Sequence, residues 1–196
     1  TRAEQVELAM VLHAKPVASI AKQEAMPRPV VKEWLLAELQ PLVERGLTKR
    51  DFTRGRSMFA AAQCAVCHRF DGEGGAFGPD LTGVAGRFNV RDLLEATLEP
   101  SKVISDQYHS TLLHLTDGKS ITGRLVAETP ESIRLVPEPL KPEQTLDVAK
   151  SRVEGREISK VSSMPANLMN TLTQEEILDL IAYMLSGGDR GHSVFK

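Results

Sequence analysis

Apolar residues recur at helical spacing in five stretches of the chain, and a sixth stretch has the texture of short strands. Val6, Ala9, Met10 and Leu12 mark a helix within residues 3–13, followed by a linker over 15–29 that carries Pro16, Pro27 and Pro29. Pro29 suits a first helical position, and Val31, Leu35, Leu39 and Leu42 follow it at helical spacing. Pro41 predicts a kink or an end to that helix, and Gly46 closes the segment. Thr48 with Asp51 resembles a capping box, after which Phe52, Gly55, Phe59 and Ala62 share one helical face. Gly55 lowers the propensity of its own helix, so it predicts a close crossing with a second helix. Asn89 caps a short helix through Leu93, Leu94 and Leu98, stopped by Pro100. Thr173 with Glu176 is a full capping box. Ile177, Leu180, Ile181, Met184 and Leu185 then form a core-facing stripe that Gly187-Gly188 ends.

Between Tyr108 and Ser159 the texture changes. Residues 109–116 read as a strand, Asp117-Gly118 as a hairpin turn, and 120–129 as the returning strand. Residues 133–136 make a third strand. After the prolines at 137, 139 and 142, residues 145–148 and 152–158 make weaker ones, which suggests a small antiparallel sheet or barrel. Residues 71–86 hold six glycines and read as a loop.

Composition narrows the function classes. The longest apolar runs, 180–185 and 8–12, fall far short of the roughly 20 residues of a membrane span. A net charge of −2 with scattered Lys and Arg leaves no electrostatic footprint for nucleic acid. Aromatic residues make up 5% of the chain, so a bound group is a natural source of further apolar volume. Thr1 stands where an initiator would, and 1–14 carries acidic residues where a signal peptide is basic and then apolar. The expectation is a processed chain or a piece of a longer protein.

One motif carries chemistry. Cys64-Ala65-Val66-Cys67-His68 has the spacing of c-type haem attachment. Two cysteines one helical turn apart reach the two vinyl groups on one porphyrin edge, and the adjacent histidine can bind iron from the proximal side. Other readings fit less well. A thioredoxin-like dithiol sits in a strand-to-helix turn, whereas this pair ends a helix and precedes a glycine-rich loop. A zinc site lacks a third cysteine, and the His109/His114 pair lies much farther off than the roughly 12–15 residues of a finger. A disulfide across two residues would be strained and gives His68 no role. No acid–base constellation accompanies the motif, so no catalytic residues are assigned and the chain reads as an electron carrier rather than an enzyme.

The order of these features resembles class I cytochromes c: a helix ending in Cys-x-x-Cys-His, then Gly78-Pro79-Asp80-Leu81-Thr82-Gly83, then a Met-Pro loop and a terminal helix. The chain is most similar to the haem-binding domain of Pirellula/Verrucomicrobium (planctomycete) type, in which a β-rich segment precedes a Ser-x-Met-Pro loop, here Ser162-Ser163-Met164-Pro165. The resemblance implies an α+β protein, with an all-α cytochrome core into which a small antiparallel β module is inserted between the attachment motif and the distal Met loop. The domains expected are a helical extension over 1–47, a split cytochrome domain over 48–106 and 160–190, the β module over 107–159, and a tail over 191–196. The resemblance also makes the Pro79 carbonyl the acceptor for His68.

For the iron's sixth ligand, Met164 leads because Pro165 stiffens its loop and the family pattern points there. Met169, His109, His114 and an open position remain alternatives, while Met58 and Met184 read as helix packing. Arg87 reads equally as a partner for a haem propionate or as a solvated loop residue. Phe59, Leu81, Phe88, Leu180 and Tyr183 are candidates for the haem-packing shell. His13 and His192 read as solvated near the ends.

The expected cofactor is one covalent haem c with its iron. The expected function is electron transfer with His/Met ligation in a larger extracytoplasmic oxidoreductase system, bacterial and periplasmic in location. The alternative is a haem gas sensor or peroxide-reactive protein with an open or weakly held sixth position. Expected partners are a dehydrogenase or another cytochrome, with no nucleic acid and no membrane span in this chain. The β module reads as a docking surface for such a partner, as a homodimer contact or as a lid.

Overall fold

The computed structural model describes residues 28–196; the helix expected over 3–13, most of the linker and His13 lie outside them. Five α-helices lie among the described residues: α1 (Leu36–Gly46), α2 (Phe52–Ala61), α3 (Cys64–Cys67), α4 (Val90–Leu98) and α5 (Gln174–Leu185). None among the described residues is long and apolar enough to cross a membrane.

The first helix starts at Leu36, not at Pro29. Residues 29–35 form no regular element and are tied to a distant segment instead: the Val31 and Lys32 N–H groups both donate to the Asn170 carbonyl, at 2.8 and 3.2 Å. The Trp34 indole N–H donates to the Leu172 carbonyl at 3.1 Å. Pro41 lies inside α1 and the helix runs on to Gly46. Leu39 and Val43 are fully buried, so this described part of the expected extension belongs to the helical core.

The cap of α2 is Asp51, whose side chain accepts from the Arg54 N–H at 3.0 Å. Thr48 is too early to serve, because Lys49 turns the backbone into the left-handed region at φ 52°. The predicted close crossing is real. A Cβ on Gly55 would lie 2.3 Å from the Asp179 carbonyl oxygen, so α2 and α5 touch backbone to backbone. Asp179 is fully buried there, accepting from the Asp51 N–H at 3.1 Å and paired with Arg54. Phe59, Phe70 and Tyr183 pack in the same region, with the Phe70 and Tyr183 ring centroids 4.9 Å apart. The capping box of Thr173 and Glu176 starts α5 as expected. The terminal segment is docked rather than free: the Val194 carbonyl accepts from the Arg50 N–H at 2.9 Å, and Phe195 meets Phe52 edge-on.

The glycine-rich loop opens with a tight hairpin that its composition hid. Strands β1 (Arg69–Phe70) and β2 (Glu73–Gly74) pair antiparallel across Asp71 and Gly72, which both have positive φ, as a primed turn requires. The larger sheet contains β3 (Thr111–Leu115), β4 (Ser120–Glu128), β5 (Ser132–Val136), β6 (Leu146–Ala149) and β7 (Val153–Ile158). Its order is β6-β5-β4-β3-β7, antiparallel throughout, with a 3₁₀ turn at Lys150–Arg152 carrying the chain back so that β7 pairs with β3. Leu113, Leu115, Ile133, Leu135 and Val148 make a core distinct from that of the helices. Arg156, opposite Leu113, and Glu128, opposite Ile133, meet at 2.9 Å on that same face. The Ser159 N–H donates to the Ser110 carbonyl at 2.8 Å, which brings the two ends of the sheet segment side by side. Helices and antiparallel strands together make this a mixed α and β protein.

Candidate functional site

Helix α3 is a single turn, entered through Gln63 in the left-handed region at φ 61°. That turn sets Cys64 and Cys67 one helical turn apart, with no disulfide joining them. Burial pushes the Cys64 thiol up to about 12. Burial also raises that of Cys67, against the opposing charge of Arg124. At His68 the backbone leaves the helix for an extended conformation, with φ −107° and ψ 137°.

The His68 ring is fixed by its neighbours. Its Nδ1 lies 2.8 Å from the Pro79 carbonyl oxygen. A carbonyl can only accept, so Nδ1–H donates and Nε2 keeps its lone pair. Burial lowers the His68 pKa, with the Pro79 bond in partial opposition, so the neutral form that binds metal is favoured. The loop glycines make this approach possible. A Cβ on Gly75 would lie 2.1 Å from the Val66 carbonyl oxygen, and one on Gly78 would lie 2.6 Å from His68 Cε1. The Gly78 N–H donates to the Cys67 carbonyl at 2.7 Å, closing the loop against α3.

Around this imidazole lies a cleft with two lobes of about 200 and 170 Å³. The lobes share Cys64, His68, Pro79, Ala96 and Met164 as walls. One lobe runs toward Phe77, Tyr108, Leu140 and Pro165; the other toward Leu81, Phe88, Leu93 and Leu180. Two thiols, a neutral imidazole, a thioether and a largely apolar cleft form a donor set that fits a covalently held haem and its iron.

Among the described methionines, only Met164 borders both lobes. Met169 and Met184 reach one lobe and are otherwise buried in the helical core. Met58 borders neither lobe, and its sulfur accepts from the Arg28 guanidinium at 3.7 Å. His114 stands on the sheet, with Nδ1 3.1 Å from Ser120 Oγ and Nε2 2.9 Å from Glu157. His109 lies 3.9 Å from Asp106 and borders neither lobe. The His192 Nδ1 accepts from the Val194 N–H at 3.3 Å, so this ring caps the last turn. No cluster of three or more His, Cys, Asp or Glu side chains suited to a metal ion exists among the described residues.

Arg87 is exposed at the second lobe, its guanidinium donating to the Asp80 carbonyl at 2.8 Å. Of the five shell candidates, Leu81, Phe88 and Leu180 line the cleft, while Phe59 and Tyr183 belong to the helix crossing. Sequence reasoning missed Phe77, Tyr108 and Leu140. Phe77 stood in a stretch read only as glycine loop, and the other two belong to the sheet segment, whose periodicity assigns faces but not what lies across from them.

No curated protein matches the chain. Residues 52–113 match the family model described as Cytochrome c, an interval that runs from α2 through the attachment turn, the glycine loop and α4 into β3. Over that interval the chain is similar to c-type cytochromes, a similarity that implies covalently attached haem c with its iron and a part in electron transfer.

Proposed function

We propose that the chain is a one-haem electron carrier in which His68 and Met164 would be the protein ligands of the iron. The observation that carries this reading is the place of Met164 in the walls of both lobes, together with Cys64 and His68. Bound haem supplies a one-electron ferrous/ferric couple. Cys64 and Cys67 would hold it through thioethers, and Pro79 holds the imidazole in the tautomer that presents Nε2. The Met164 N–H donates to Ser162 Oγ at 3.0 Å and the Ser162 N–H to Ser101 Oγ at 3.1 Å, so the loop is tied to the segment after α4. A thioether ligand favours the reduced iron and closes the site to oxygen and peroxide. Arg87, exposed at the second lobe, would pair with a propionate in place of its bond to the Asp80 carbonyl.

In this reading 48–106 and 160–190 form one class I cytochrome unit of planctomycete type, and 107–159 is an insertion between its halves. The paired ends at Ser110 and Ser159 and the separate core of the sheet support that division. Covalent haem attachment supports an extracytoplasmic bacterial location, where the chain would pass electrons to or from a dehydrogenase or another cytochrome.

The test is optical. Chain produced with cytochrome maturation should gain the mass of one haem. Its ferric form should show a weak far-red sulfur-to-iron band, and its ferrous form should resist carbon monoxide. That band should vanish in Met164→Ala and survive in Met169→Ala. Its survival in Met164→Ala would remove Met164 as ligand, and ready carbon monoxide binding by the parent chain would favour an open sixth position.

A further inference from the structure

The sheet holds a charge behind one wall of the cleft. On β4, Arg124 stands opposite the buried Val136, on the face away from the sheet's own core. Its guanidinium lies 4.8 Å from the Phe77 ring centroid and 5.1 Å from that of Tyr108. Both rings line the first lobe, Phe77 from the glycine loop and Tyr108 from the turn that precedes β3. The same sheet sends its β5–β6 connection to the attachment turn: the Pro139 carbonyl oxygen lies 3.3 Å from the Cys67 sulfur, and Leu140 completes the wall. Among the described residues no carboxylate pairs with Arg124, whereas both other arginines on the strands of this sheet are paired, Arg134 with Asp147 and Arg156 with Glu128. A half-buried, unneutralised cation clamped between two rings is therefore held beside the wall that Cys67 forms.

We propose that Arg124 is a fixed positive charge, supplied by the sheet to the Cys67 edge of the haem, that favours the ferrous over the ferric state. The inference rests on the reading of this cleft as the haem site. Oxidation adds one positive charge at the iron, and a nearby cation opposes that change through an environment that screens less than bulk water. The two rings enclose the guanidinium, so its effect survives salt that would silence an exposed charge. The sheet thus tunes the couple as well as covering one edge of it.

The test is a spectroelectrochemical titration of the haem-loaded chain at 0.1 and 1 M salt. Arg124→Gln and Arg124→Met both keep an apolar stem between the rings and lose the charge. Each should lower the ferrous/ferric ratio at a fixed solution potential by about threefold to tenfold, tenfold being about 59 mV for one electron. Arg124→Lys should stay within about twofold of the parent, and Arg134→Gln, which removes a paired cation from the sheet surface, should leave the ratio in place. An unchanged ratio in both neutral variants overturns the proposal. So does a lysine variant that moves with them, which would mark a packing role, or a shift accompanied by loss of the sulfur-to-iron band, which would mark a ligation change. A parent chain without attached haem would refute the site itself, an outcome distinct from any of these.

Discussion

Gly78 leaves the imidazole no spare room. A methyl group there would meet His68 Cε1 at 2.6 Å and Nδ1 at 2.8 Å, so Gly78→Ala must displace either the ring or the loop that carries Pro79. The expected result is a loss of about 1–3 kcal/mol in denaturant unfolding and a perturbed His–iron spectrum in the loaded chain. Tyr183 behaves differently. Its hydroxyl is buried without a hydrogen-bond partner among the described residues, and burial pushes its pKa from 10 up to about 12. A raised folded-state value means that the unfolded chain releases this proton first, so the contribution of Tyr183 is complete below pH 10 and is lost as pH rises toward 12. Tyr183→Phe should therefore flatten the fall in stability over that window, as alkaline unfolding followed by circular dichroism would show. Cys64, Cys67 and His68 were legible in the sequence because their chemistry lies in a local spacing. The role of Pro79 came from resemblance, and the 2.8 Å contact supplies its physical form. Arg124 was not legible, because nothing local to β4 says that two aromatic rings from elsewhere will enclose it.

Helix starts divide by whether their cap is local. Thr173 and Glu176 satisfy each other within one turn, and the structure keeps that box. Thr173→Ala should cost about 1 kcal/mol, read by thermal or denaturant unfolding. The start of α2 moved from Thr48 to Asp51, past the left-handed turn at Lys49, to where Asp179 on another helix accepts the Asp51 N–H. The start of α1 moved because Asn170 and Leu172 capture donors from the segment before it. Both starts meet partners more than a hundred residues away, beyond the reach of periodicity. Gly55 was readable in kind, since an interior helical glycine implies a close neighbour, but its neighbour was not. Gly55→Ala would set a carbon 2.3 Å from the Asp179 oxygen, so the α2–α5 crossing should open, with a loss of about 1–3 kcal/mol and weaker haem retention.

Two hydrophobic cores coexist in the molecule, one among the helices and one inside the sheet. Leu135 is fully buried in the second. Leu135→Ala should cost the sheet about 2–5 kcal/mol. Hydrogen exchange should then accelerate across β3–β7 while α5 keeps its protection; equal acceleration in both would show one cooperative unit instead. Contacts between the two parts run along the cleft, by way of Arg124, Tyr108, Pro139 and Leu140. By itself the sequence determined the attachment turn, the helices bearing their own caps, the alternation of five short strands and the glycines that mark close approach. These depend on contacts within a few residues, where spacing and side-chain type are sufficient. Only the tertiary structure decided the order in which the strands pair, that Met164 rather than Met169 or Met184 borders both lobes, and that a sheet arginine stands beside the cysteine wall. Those depend on which distant segments close over the same cleft, and no local pattern of apolar and polar residues records that.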